Sequence, residues 1–279
     1  MADPLPSGLY VVATPIGNLG DLSARAAETL RHANLILAED TRVTGKLLAH
    51  VDAKTKMWRF DDHASEQDRD LIVSRLGLEA IALVSDAGTP LISDPGYKLV
   101  RAAREAGHAV YTIPGPCAAI AALTLAGLPT DRFLFLGFLP AKANARSNAI
   151  AEIASIRATL VIYESGPRLG ETLGALRKHL GPREAAVARE ITKLHEECVN
   201  GTLTELMDRY VAGPPPKGEI VIVVGPPLET QAATDREIDQ LLQRAMQRLS
   251  PSRAAAEVAE QLNIPRKRAY ARALDISRK

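Results

Sequence analysis

AIALVSDAGTPLISDPG, residues Ala80 to Gly96, decides how this chain folds. Its first half, Ala80 to Ser85, is a short apolar run rich in strand-forming residues, the pattern of a strand buried on both faces. The run stops at Asp86 and gives way to Ala87-Gly88-Thr89-Pro90. Gly88 opens backbone angles closed to other residues, while Pro90 fixes its own φ and donates no hydrogen bond. Pro95-Gly96 then leads a helical segment, Tyr97 to Ala106, with Pro95 suited to a first helical turn. A strand that ends in small residues before a helix start is where open α/β sheets bind ligands. The same pattern also suits a tight connection that binds nothing, so the flanking segments have to decide.

Outward from that stretch the pattern recurs. Leu9 to Ala13 (LYVVA) reads as a strand, followed by a Gly/Pro loop and by Ser23 as N-cap of a helix to His32. Asn34 to Ala38 (NLILA) is another short apolar strand, and it runs directly into Glu39-Asp40-Thr41-Arg42. Two carboxylates and an arginine at the carboxyl end of a buried strand sit where catalytic side chains emerge in such folds. An ion-pair cluster that caps the next helix, Thr44 to His50, accounts for them equally well. Trp58 to Asp70 reads as a polar loop that becomes a helix capped by Ser65, with His63 a solvated loop histidine. Ala109 to Ile113 (AVYTI) ends in Pro114-Gly115-Pro116 before the small-residue segment Cys117 to Leu128. Three strands ending in small-residue loops on one sheet edge predict a binding cleft there. The full GxGxxG and the GK[ST] phosphate loop are both missing, which disfavours a nucleotide held by its pyrophosphate.

A domain boundary is expected near Leu128 to Asp131, separating residues 8–130 from 131–228. Beyond it come strands at Phe133 to Phe138, Thr159 to Tyr163, Ala185 to Ala188 and Glu219 to Val224. Helices are expected around Lys142 to Arg157, at Leu169 to Leu180 and at Thr202 to Val211. Alternating strands and helices in both halves predict an α/β fold of two lobes. Pro226 to Thr234 reads as a polar linker, and residues 235–279 as a helical module with ten Lys or Arg against six Asp or Glu. Within it, RAAAEVAEQLNIPRKRAYARAL resembles a helix-turn-helix, with Asn263-Ile264-Pro265 as the turn. Arg266, Lys267 and Arg268 lead its second helix, a candidate nucleic-acid contact.

Composition narrows the function classes. The 279 residues are 46% hydrophobic and 24% charged, ordinary values for a globular protein. A formal net charge of +1 argues against bulk electrostatic capture of nucleic acid and leaves room only for local basic patches. Cys117 and Cys198 stand far apart in no metal-ligand spacing, so neither disulfide nor zinc is expected. REITKLHEE, residues 189–197, is not HExxH, and no metal site is expected there. The longest nearly apolar run, Cys117 to Leu128, falls short of the ~20 residues a membrane span needs. MADPLPSGLY shows no basic region before an apolar segment, so no secretory signal is read and the cytoplasm is expected.

Taken together, VVATPIGNLGDLS, AEDTR, VSDAGTPLISDPG, IPGPCAAIAAL, FLGFLP, TLVIYES, REITKLHEE and KGEIVIVVG occur in this order and cover residues 8–225. The set resembles the bacterial 16S ribosomal RNA 2'-O-ribose methyltransferases, a family of the tetrapyrrole-methylase superfamily. That resemblance implies two α/β lobes with S-adenosylmethionine between them, a cytidine ribose in the decoding centre of 16S rRNA as target, and a homodimer. It implies cofactor contacts from Pro15, Ile16 and Gly17 in the first loop and from Ala87, Gly88 and Thr89 in the central loop. Cys117 and Ala118 match the Pro-Gly-x-x-Ala position, and Glu164 and Ile191 fall where the second lobe closes over the cofactor. Related sequences commonly carry Ser at the Cys117 position and Pro-His where this chain has Gly166-Pro167.

A ribose hydroxyl attacks an activated methyl only when its proton is taken, so a base is needed near the cofactor. Asp40 and Glu39 are the candidates, with Asp86 behind them, although Asp86 suits an Asx turn as well. Arg42 and Lys193 are candidates to steer a phosphate or tune the base, and Lys142, Arg146 and Arg266 to Arg268 for further RNA contacts. Two other functions are open at this point. One is a precorrin-type C-methyltransferase of the same superfamily, disfavoured by AEDTR, FLGFLP and the basic tail. The other is a nucleic-acid-binding regulator whose α/β core only senses a ligand.

Overall fold

The computed structural model describes residues 4–61, 63–227, 234–262 and 264–277. Its contacts divide the chain into two units, Met1–Pro227 and Leu228–Lys279.

In the first half of the larger unit, β1 (Gly8–Val12), α1 (Ala24–His32), β2 (Leu35–Ala38), α2 (Thr41–His50) and β3 (Met57–Arg59) follow one another. Then come α3 (Glu66–Arg75), β4 (Ala80–Val84), α4 (Tyr97–Glu105), β5 (Val110–Ile113) and α5 (Ala118–Leu125). The strands form one parallel sheet of order β3-β2-β4-β1-β5. Every residue of β4 is buried, as the apolar run from Ala80 demands of a strand covered on both faces. One face packs Val12, Leu30, Ile36 and Leu48, the other Leu9, Leu37, Ile72, Leu83 and Leu99. Each such fully buried Leu or Ile contributes about 1.5–3 kcal/mol relative to exposure. Because the strands are parallel, the carboxyl ends of β2, β4, β1 and β5 lie side by side. That edge carries the functional loops.

The second half runs β6 (Phe133–Phe138), α6 (Ala143–Ile153), β7 (Thr159–Ser165), α7 (Leu169–Leu180) and β8 (Glu184–Arg189). It closes with β9 (Glu197–Thr202), α8 (Leu203–Ala212) and β10 (Glu219–Val224). This sheet has the order β6-β7-β10-β8-β9, parallel only between β6 and β7. Helix α5, which precedes the expected boundary in the chain, covers the second sheet. Its Ala119, Ala122, Leu123 and Ala126 share a core with Val161, Ala186, Ala188, Val221 and Val223. The run of alanines is what allows so close a fit of helix on sheet.

Four local expectations are corrected. β3 lies where a polar loop is read: it is three residues long, at the sheet edge, and buries no residue fully, so no apolar run marks it. β9 is likewise an edge strand, and ECVNGT has little strand propensity. Helix α2 begins at Thr41, not Thr44, because Asp40 caps it. The N-cap of α4 is Gly96, at φ 122°, so Pro95 stands before the helix instead of in its first turn.

The smaller unit consists of α9 (Asp235–Met246), α10 (Pro251–Gln261) and α11 (Arg266–Ser277) around their own core of Ile238, Leu242, Ala254, Val258, Ala269 and Ala273. Thr234 opens it with a capping box to Glu237. Of the expected turn, Asn263 lies outside the described residues, as do residues 228–233 of the expected linker.

Candidate active site

Three loops leave the shared strand edge and are fastened to one another. Thr14, just beyond β1, and Gly88, beyond β4, exchange two backbone hydrogen bonds of 2.9 and 3.1 Å. Gly88 holds φ +88°, and a Cβ there would come within 3.2 Å of Ile16 Cγ2, so the residue type follows from both conformation and space. Thr89 Oγ1 donates to the Pro116 carbonyl at 3.0 Å, which ties the central loop to the one after β5. The central loop then turns through Leu91 and Ser93, both at positive φ. For residues with a Cβ such angles carry strain, and they lie here beside a cleft.

That cleft has a volume of about 380 Å³ and is walled by the two lobes. Ile16, Ala87, Gly88, Thr89, Cys117, Ala118 and Glu164, all expected at the cofactor site, line it together with Glu39 and Asp86. Pro15 and Gly17 flank Ile16 without lining it. A Cβ on Gly17 would lie 2.6 Å from Lys193 Cγ, so this loop is pressed against the turn after β8. Ile191 is buried and shares the core of Ile16 behind the cleft wall.

The second lobe supplies more of the wall than the motifs indicate. Phe138, Tyr163 and Ser165 come from β6 and β7, and Gly218, Glu219, Ile220 and Val221 from β10 and the residue before it. Ile92, Ser93 and Asp94 of the central loop also reach it. The Tyr163 ring meets Phe135 and Phe138 edge-on, at centroid separations of 4.9 and 5.6 Å. Its hydroxyl accepts from the Ala119 backbone N–H at 3.2 Å and so supplies the side-chain cap that the Cys117 N-cap position of α5 does not. Burial pushes the Tyr163 phenol far up, with Cys117 and the Asp94 carboxylate nearby adding to it. It stays a neutral donor and acceptor. The only sequence signal for these residues is their place at strand ends, which many residues share.

Glu164 belongs to the cleft wall, but its carboxylate is wholly buried. Its Oε2 accepts from Thr172 Oγ1 at 2.6 Å, its Oε1 from the Ser165 N–H at 2.8 Å, and Arg168 Nε stands 3.4 Å away. These bonds anchor the end of β7 to α7.

At the β2 end the two neighbouring acids differ. Asp40 caps α2: its Oδ1 accepts from the Arg42 N–H at 2.8 Å, and the Arg42 guanidinium spans both of its oxygens. The Arg42 hydrogen bonds hold the Asp40 carboxyl far below the usual range, against a small opposing effect of burial. The Asp40 carboxylate is thus engaged in capping α2 and in its ion pair with Arg42, the alternative that the sequence left open. Asp86 does not close a local Asx turn either; its Oδ1 accepts from the Asp40 backbone N–H at 3.0 Å and joins the ends of β4 and β2. Glu39 and Asp86 also line a second, polar cavity of about 670 Å³, shared with Asp40, Thr41, Arg42, Arg59, Asp61 and His63.

The expected RNA contacts fall in different places. Arg42 is exposed. Lys193 is half-buried, with Nζ 3.0 Å from Glu190 and 3.2 Å from Glu219, and these partners outweigh its burial to raise its pKa. Lys142 is exposed at the N-cap position of α6. Arg146 is corrected: it is only 5% exposed and pairs with Glu171 at 3.1 Å, so it braces α6 against α7 instead of facing solvent. In the smaller unit Arg266 and Lys267 are exposed at the start of α11, while Arg268 is half-buried and paired with Asp235 at 2.9 Å. Among the described residues no group of three or more His, Cys, Asp or Glu is placed to hold a metal ion. No helix among them is long and apolar enough to cross a membrane.

Comparison with known proteins adds to this geometry. The model of the tetrapyrrole (corrin/porphyrin) methylases matches residues 8–207, and that of the RsmI C-terminal HTH domain matches residues 232–277. Ribosomal RNA small subunit methyltransferase I of Erythrobacter litoralis (strain HTCC2594) is 54% identical over 275 residues, 99% of this chain and 97% of its own length. The protein of that name from Mesorhizobium japonicum is 46% identical over 277 residues, 99% of this chain and 94% of its own. A uroporphyrin-III C-methyltransferase from Thermus thermophilus, complexed with S-adenyl homocysteine, superposes with a TM-score of 0.52 at 22% identity, over 78% of this chain and 97% of that one. Matched from the first strand to the last helix, the chain belongs to the tetrapyrrole methylases and, among them, to the ribosomal RNA small subunit methyltransferase I family.

Proposed function

We propose that this chain transfers a methyl group from S-adenosylmethionine to the ribose 2'-hydroxyl of a cytidine in the decoding centre of 16S rRNA. It acts on the small ribosomal subunit, in the cytoplasm, as a homodimer. One observation carries the reading: Glu39 and Asp86 stand on the wall shared by the small-residue cleft and the polar cavity beside it. A donor in one compartment and an acceptor in the other would meet at those carboxylates. The relatives named ribosomal RNA small subunit methyltransferase I match along nearly the whole chain, whereas the porphyrin enzyme covers 78% of it at 22% identity.

Bound in the cleft, S-adenosylmethionine supplies a methyl carbon made electrophilic by its sulfonium. The cleft fits such a guest: small side chains at Ala87, Gly88 and Ala118 leave backbone groups at its surface, and its volume is in the range of small-molecule sites, about 300–1,000 Å³. Ile16, Thr89 and Cys117 would complete the hold. With the donor so activated, the chain's task is to align the acceptor oxygen and remove its proton. Glu39 is assigned as the base. Asp86 acts by fixing the Asp40 backbone beside it, and Asp40 by starting α2. Residues 235–279 form an RNA-contacting module headed by Arg266 and Lys267.

The test is transfer of label from S-adenosyl-[methyl-³H]methionine into small ribosomal subunits, followed by mass mapping of the modified ribose. One labelled cytidine 2'-oxygen is the expected result. Label in a tetrapyrrole, or nucleic-acid binding without turnover, would favour the other two functions.

A further inference from the structure

The polar cavity beside the cleft has a division of charge that a bound methyl donor does not explain. Glu39, Asp40 and Asp86, at the ends of β2 and β4, line it with three carboxylates. Its outer rim carries two guanidinium groups, Arg42 in the first turn of α2 and Arg59 at the last position of β3. Parallel pairing sets Arg59 opposite Ala38, so the β3 and β2 ends reach the same edge. Both arginines are held by carboxylates of the same cavity: Arg42 by Asp40, and Arg59 Nη2 by Asp61 Oδ2 at 2.9 Å. Yet their side chains remain 87% and 73% exposed, so an incoming anion reaches them without any rearrangement of the core.

A cytidine within an RNA strand presents donors at its centre, the ribose hydroxyl and the exocyclic amine, and anionic phosphates at either side. Carboxylates accept from the former, as they do from cytosine N4 in other nucleic-acid complexes. Arginine forks match the latter. The carboxylates at the β2 and β4 ends repel phosphate, so phosphate contact falls to the exposed guanidinium groups. We infer that this cavity seats the target nucleotide, donors toward the carboxylates at the β2 and β4 ends, and that Arg59 grips a flanking phosphate by exchanging its carboxylate partner Asp61 for that phosphate. The inference rests on the methyltransferase reading above and adds to it a residue, Arg59, and an internal competitor, Asp61.

The experiment uses the full-length protein, small ribosomal subunits and labelled S-adenosylmethionine. KM for subunits is measured at several salt concentrations, and cofactor Kd by calorimetry. Arg59→Gln is expected to raise KM for subunits about ten-fold, the loss of one charged hydrogen-bonded contact. It should also flatten the salt dependence by about one phosphate's worth, with cofactor Kd unchanged. Arg59→Lys should recover the salt dependence. Asp61→Asn keeps the Oδ1 that accepts from the His63 N–H at 2.9 Å but releases Arg59, so it should leave KM equal to or below wild type. A purely structural ion pair would instead make Arg59→Gln and Asp61→Asn err in the same direction. Parallel rises in KM, or Arg59→Gln within two-fold of wild type, would overturn the inference. Failure of the wild-type protein to label subunits at all would instead sink the methyltransferase reading.

Discussion

Glu39 and Asp40 are adjacent in the chain, yet Glu39 lines both compartments while Asp40 gives its oxygens to the start of α2. AEDTR places both acids at a strand end, but the division of labour depends on where the helix begins, and that is set by backbone geometry. If Glu39 is the base, Glu39→Gln lowers kcat about 10²–10⁴-fold with cofactor Kd nearly unchanged. Asn caps helices as well as Asp, so Asp40→Asn should keep turnover close to wild type. Its effect belongs to stability. The folded-state pKa of Asp40 is depressed, so its contribution is present above the unfolded value of about 4 and is lost as pH falls below it. The wild type should therefore resist urea better than Asp40→Asn near pH 7, and the gap should close as the pH drops through 4 and below.

The strands with an apolar run were the legible elements. β4 and β10 announce themselves as unbroken apolar runs because both faces are covered, and the loop after β4 follows from Gly88 and Pro90. β3 and β9 escape because an edge strand has one neighbour and needs no apolar run. The loops themselves were readable, but the bonds between them were not, since they join residues far apart in the chain. Thr89→Val tests one such bond. Removing the hydroxyl from the Pro116 carbonyl costs about 1 kcal/mol, and cofactor Kd should rise roughly five-fold if the central loop must be held for binding. Calorimetry with S-adenosylhomocysteine reads that directly.

For the whole molecule, the described residues of the three-helix core all come from the smaller unit. Truncation after Pro227 should therefore leave cofactor affinity intact and weaken binding to rRNA, measured by calorimetry and filter binding respectively. Equal loss of both would contradict an RNA-contacting tail. Two lobes and a helical module were readable from the alternation of strand and helix patterns. The attachment of α5 to the second sheet was not, because its apolar alanines fit either sheet and only the packed structure chooses.

The position of β10 has one more consequence. It is the last strand of its sheet in sequence but the middle one in space, with β7 on one side and β8 on the other. A chain still emerging from the ribosome holds those two partners with open edges until Val224 has been made, and until then the cleft lacks the stretch of wall that Gly218 to Val221 supply. Donor uptake is therefore expected only once translation has passed this point, and nascent chains halted before Glu219 should neither retain the donor nor resist proteolysis across the second lobe.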